Sequence, residues 1–105
     1  MKQTKQIERI ARMEEHLDAA KEVLERFQQA LDDYALIQER IAVLEEYYAT
    51  DWRKDFESDE AGKLPADLKR GVLSEDALFD LLSENRLAAS DALYSLAQLI
   101  AEGML

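Results

Sequence analysis

An all-α fold, two long helices in an antiparallel hairpin joined by a connector with short helical turns, follows from three observations on this 105-residue chain. No glycine or proline occurs before Gly62. Apolar residues recur in sevens through the first half, and a second apolar stripe runs from Leu78 to Ile100, stopping at Gly103. The length suits a single domain, residues 1–105, with a long helix over 3–48, a connector over 49–73 and a second long helix over 74–103.

In the first helix, Ile10, Leu17, Leu24 and Leu31 fill one heptad position, and Met13, Ala20, Phe27, Tyr34, Ile41 and Tyr48 the position three later. Beyond Leu31 the first of these positions turns polar at Gln38 and Glu45, while Ile37, Ile41, Leu44 and Tyr48 continue the stripe at three-and-four spacing. Such drift is the mark of a bundle helix packing at a period of ~3.6, not of an extended two-stranded coiled coil. Glu8 with Arg12 and Glu22 with Arg26 are spaced to support the helix on its solvated face.

The connector is where the punctuation lies: Gly62, Pro65, Gly71 and the only tryptophan. A short helix over 51–60, capped by Thr50 or Asp51, and one helical turn over 65–70, with Pro65 at its first position and Gly71 after its end, are the expected elements. Ser74 is the expected cap of the second long helix. Glu75 and Asp76 stand at its positive dipole end, and Leu73 and Leu78 are spaced as a hydrophobic staple. Ser83 and Asn85 are candidate kink positions.

Length also bears on assembly. A first helix ~70 Å long outruns a second of ~45 Å, and two helices with a small cap bury little alone. A homodimer completing a helical bundle covers both stripes. Charge favours the hairpin: residues 1–13 hold Lys2, Lys5, Arg9 and Arg12 against Glu8, whereas residues 75–105 hold six acids against Arg86.

Several function classes are excluded by composition. The formal charge of −10 argues against nucleic acid. Cysteine is absent, which removes thiolate catalysis and Cys-ligated metals. No apolar run is long enough for a membrane span or a signal-peptide core, so a cytoplasmic protein with no membrane partner is expected. No Gly-x-Ser-x-Gly elbow surrounds a serine, and no glycine-rich phosphate loop precedes a helix. His16, the only histidine, lies in neither an i, i+3 Glu-x-x-His nor a two-histidine motif, and a structural role is expected. Asp55, Asp59 and Glu60 are the nearest approach to a metal motif, but Glu60 stands where an EF-hand needs glycine and Ala66 where it needs glutamate. No cofactor is expected.

Tyr47, Tyr48, Trp52 and Phe56 place four of the eight aromatics within ten residues. Tyr48, Trp52 and Phe56, four apart, share a helix face, and a mini-core pinning the connector is the first reading. A partner-binding surface, rimmed by Arg53, Lys54, Lys69 and Arg70, is the other. Arg70 has Asp55, Asp59 and Asp76 as candidate bidentate partners.

In Tyr47-Tyr48, Thr50-Asp51-Trp52-Arg53-Lys54-Asp55, Asp59-Glu60-Ala61-Gly62-Lys63-Leu64-Pro65 and Lys69-Arg70-Gly71-Val72-Leu73-Ser74-Glu75-Asp76 the chain resembles a family of short bacterial proteins, domain of unknown function 4298. The resemblance extends over nearly the whole chain. Thr50 stands where the family pattern has serine, keeping the hydroxyl. It implies a bacterial cytoplasmic protein of helical fold and supplies no activity, cofactor or catalytic residue. The expected function is therefore a non-enzymatic interaction or scaffolding module that homodimerises and meets a further protein partner. The alternatives are a small enzyme or divalent-metal-binding protein using the acidic connector, and an acidic regulator or inhibitor of a basic partner.

Overall fold

The computed structural model describes residues 2–105, apart from the Lys2 side chain, and is all-helical. Helix α1 spans Lys2–Ala49, α2 spans Trp52–Glu60, a 3₁₀ turn occupies Gly71–Leu73, and α3 spans Ala77–Ala101. No strand occurs among the described residues. The breaker-free sequence explains the 48-residue α1, and α3 runs unbroken through Ser83 and Asn85, with no interruption at the candidate kink.

The chain divides into two compact units, residues 1–38 and 39–105, with α1 contributing to both. The first unit is a stretch of single helix. Its described side chains are exposed except Tyr34 and Gln38, which are half-buried. Gln28 and Gln29 donate to Asp32 (3.3 Å) and Asp33 (3.0 Å) one turn on. The expected pairs Glu8–Arg12 and Glu22–Arg26 do not close, since exposed long side chains gain little Coulomb energy for the freedom they lose.

The second unit holds the core. Leu73, Leu78 and Leu82 are its buried side chains, bringing the 3₁₀ turn and the first turns of α3 together, each contributing about 2 kcal/mol by burial. Leu73 and Leu78 are the expected staple pair, and both are buried. Around them Ile41, Leu44, Tyr47, Tyr48, Trp52, Phe56 and Leu64 are half-buried. Within this unit α1 and α3 run locally antiparallel: Arg86 approaches Glu45 at 3.8 Å, while Phe79 and Leu82 line the same cleft as Tyr48 and Ala49.

Three local expectations need correction. Helix α3 begins at Ala77, with Asp76 as its cap residue, so Ser74 does not cap it. The Ser74 hydroxyl donates to the Gly71 carbonyl at 3.0 Å and closes the 3₁₀ turn instead. No helix forms over 65–70; Pro65 opens a turn closed by the Leu68 amide (3.2 Å), and Gly71 starts the 3₁₀ turn. Asp51 is the residue before α2, as expected, but its side chain makes no capping bond. The Thr50 hydroxyl turns back to the Glu46 carbonyl at 2.8 Å, completing the end of α1.

Two helix ends are shaped by glycine. Gly62 follows α2 at φ +69°, with its amide bonded to the Asp59 carbonyl and the Lys63 amide to the Ser58 carbonyl, each at 3.0 Å. Gly103 closes α3 the same way at φ +74°, through the Gly103 amide to Ile100 and the Met104 amide to Leu99. Both ends are Schellman motifs, which satisfy carbonyls the helix leaves open and demand a left-handed residue.

Candidate functional site

Three interlocking devices organise the connector. The first is a ladder of rings. Spacing by four places Tyr48, Trp52 and Phe56 on one side although α1 ends between them. The Tyr48 and Trp52 rings lie 5.2 Å apart, tilted by 60°, and Trp52 stacks on Phe56 at 5.0 Å and 17°. The indole N–H of Trp52 donates to the Val72 carbonyl at 2.8 Å, tying the ladder to the 3₁₀ turn twenty residues on.

The second device joins α1 to α2. The Tyr47 hydroxyl donates to Asp55 Oδ2 at 2.6 Å. Burial, the hydrogen bond to Asp55 and the negative charges of Asp55 and Asp51 push the phenol from its usual 10.0 up to about 12, so it stays protonated far into the alkaline range.

The third device is Arg70. Its Nη1 pairs with the Asp59 carboxylate, its Nη2 donates to the Pro65 carbonyl, and its Nε donates to the Leu68 carbonyl at 3.3 Å. Of the three acids considered from the sequence, Asp59 is the partner. A planar guanidinium satisfies one carboxylate and two loop carbonyls at once, a task an ammonium cannot match in geometry. The Leu73 amide then bonds the Arg70 carbonyl at 2.9 Å, so the same residue holds α2, the loop and the 3₁₀ turn.

The remaining candidates divide sharply. Arg53, Lys54 and Lys69 stand exposed. Asp55 and Asp59 are engaged by Tyr47 and Arg70, and Glu60 faces solvent; among the described residues no group of three metal-ligating side chains converges. His16 lies exposed on α1. The polar groups of Trp52 and Arg70 are committed to internal partners, which is the arrangement of a clasp.

One feature escaped the sequence reading. An open cleft of about 300 Å³ lies between Glu45, Tyr48 and Ala49 of α1 and Phe79, Leu82, Ser83 and Arg86 of α3. The clue was Glu45, an acid on a heptad position that is apolar up to Leu31, together with Arg86, the single base of residues 75–105. Each explains the other.

The family model of Domain of unknown function (DUF4298) matches residues 10–95, which span the stripe of α1, the whole clasp and most of α3. The chain belongs to this family. No curated protein and no solved structure matches it. Membership therefore identifies the clasp and both long helices as parts of one family domain. No helix among the described residues is long and apolar enough to cross a membrane.

Proposed function

We propose that this family member acts without catalysis, as a helical module that homodimerises through the apolar face of α1 and uses its connector clasp as the rigid scaffold. One observation carries the reading. Ile10, Met13, Leu17, Leu24, Phe27 and Leu31 form a continuous stripe, each between 45% and 65% exposed. Contiguous apolar faces of this size on a chain mark interaction surfaces, because water makes leaving them open unfavourable by roughly 25 cal/mol per Å². A helix stretch with no covering element also lacks the tertiary packing that supplies most helical stability, and a partner helix restores it.

The clasp supports the division of labour. Trp52, Tyr47 and Arg70 spend their donors on fixing the segments after α1, so the aromatic cluster behaves as a mini-core. A further protein partner would meet the exposed Arg53, Lys54 and Lys69 around it.

Static light scattering at micromolar concentration tests the reading. The expected mass is twice the 12.0 kDa of the chain, falling to a single chain mass in Leu17→Glu/Leu24→Glu with the clasp still folded by near-ultraviolet circular dichroism. A wild-type protein that scatters as one chain overturns it.

A further inference from the structure

Resting on that reading of α1 as a self-association face, we infer that the second copy lies antiparallel, with residue i of one α1 level with residue 44 − i of the other and the dyad crossing at the level of Glu22. Three properties of the stripe lead to this arrangement: the sizes of its side chains, its charges and its area.

Size is the most discriminating. Pairing each copy with itself in parallel register would set Ala20 on Ala20 and Phe27 on Phe27, a void two turns from a crowded layer. The antiparallel register sets Met13 against Leu31, Leu17 against Phe27 and Ala20 against Leu24, then repeats the three layers in reverse. Each layer then holds one medium and one complementary side chain, the alternation that fills a helical interface to native density. Sliding one copy by a heptad, so that paired numbers add to 51, would place the amide of Gln38 opposite Met13. Sliding the other way, to a sum of 37, leaves Leu31 opposite Gln6, so the register adding to 44 is the one that sets every stripe residue from Ile10 to Tyr34 against another stripe residue.

Charge agrees. Antiparallel pairing brings Arg12 of one copy level with Asp32 of the other, with Arg9 and Asp33 within a turn of that pair, whereas parallel pairing would set the arginines level with arginines and the aspartates level with aspartates. The acidic middle, with Glu14, Glu15, Asp18, Glu22 and Glu25 against Lys21 and Arg26, meets itself in either orientation and so does not choose between them. Area is sufficient as well. Ile10, Met13, Leu17, Leu24, Phe27, Leu31 and Ile37 are each about half exposed, and covering about 100 Å² of each removes about 700 Å² per copy, close to the ~800 Å² per partner of a standard interface. Aliphatic stems beside the stripe, such as that of Lys21, add to it.

The absence of native cysteine makes the test clean. Single spin labels are introduced in the full chain as Glu8→Cys, Glu15→Cys, Glu22→Cys and Gln29→Cys, all exposed and on the helix face away from the stripe, and distances between copies are read by double electron–electron resonance. At 1.5 Å per residue, the axial offset between equivalent labels is about 42 Å at residue 8, about 21 Å at 15 and 29, and near zero at 22. The expected result is a V-shaped profile with its minimum at residue 22. A flat profile along the helix means parallel copies and overturns the register while leaving self-association standing. A minimum displaced from residue 22 overturns the pairing as well. No distance between copies at any site overturns both.

Discussion

Tyr47 shows how a single proton can stabilise the clasp. Its phenol is bound as a donor to Asp55, beside a second carboxylate at Asp51, so ionising it would put a third negative charge into a half-buried place. The folded state therefore holds this proton up to about 12, while the unfolded chain releases it near 10.0. Between those values the native protein binds more protons than the unfolded one, and stability falls as pH rises. Tyr47 contributes fully below pH 10 and its contribution is lost toward pH 12. Urea melts at stepped alkaline pH are expected to show this decline in the wild type and a shallower one in Tyr47→Phe, whose stability at neutral pH is lower by about 1 kcal/mol for the lost hydrogen bond. Equal alkaline slopes would remove Tyr47 from the account. The same scale explains why Arg70 was legible only as a set of choices. Its charge and its place beside Gly71 announced a carboxylate partner, but Asp55, Asp59 and Asp76 were all candidates. The decision came from Tyr47 taking Asp55 and the loop carbonyls of Pro65 and Leu68 fixing the guanidinium plane toward Asp59.

Helix ends carry the lesson at the scale of the elements. The long helices were readable from breaker-free stripes, and α1 and α3 end within a residue or two of their expected limits. Caps were less readable, because the Thr50 and Ser74 hydroxyls each have a preceding backbone carbonyl that competes for them, and local geometry decides. Gly62 and Gly71 make a matched comparison of the two outcomes. An added Cβ meets nothing within 4 Å at either position, but only Gly62 has a left-handed φ. Gly62→Ala is expected to destabilise by about 1 kcal/mol through backbone strain alone. Gly71→Ala is expected to be neutral or to stabilise by up to about 1 kcal/mol, since it removes freedom from the unfolded chain without native strain. Thermal or urea melts of the two variants side by side check the contrast, and equal losses would refute the assignment of strain to Gly62.

For the molecule as a whole, the distribution of burial matters more than its amount. Among the described residues, buried apolar side chains are confined to Leu73, Leu78 and Leu82, whereas the large apolar residues of α1 from Ile7 to Leu31 stay open. Three buried leucines are a small core for a chain of this length. In the proposed dimer, association is part of folding stability. The melting temperature of the wild type is expected to rise with protein concentration, as mass action requires for a folded dimer in equilibrium with unfolded chains. In Leu17→Glu/Leu24→Glu it should be lower and independent of concentration. Differential scanning calorimetry over a hundredfold concentration range distinguishes the two behaviours, and a wild-type transition that does not move would count against self-association.

By itself the sequence determined the helical class, the presence of two long helices joined by a connector, and the family, because these depend on periodicity, on the placement of Gly62, Pro65, Gly71 and Gly103, and on motifs written in consecutive residues. It also marked the segment from Tyr47 to Leu73 as the place where most of the punctuation and half the aromatics gather. Only the tertiary structure decided what those residues do there: which aspartate Arg70 takes, that Trp52 reaches Val72, that Ser74 closes a 3₁₀ turn, and that Glu45 meets Arg86 across a cleft. The physical reason is one of range. A stripe or a breaker acts on neighbours within a turn or two and can be read along the chain, whereas a guanidinium or an indole N–H chooses among several acceptors of similar chemistry, and the choice depends on where the backbone has carried them.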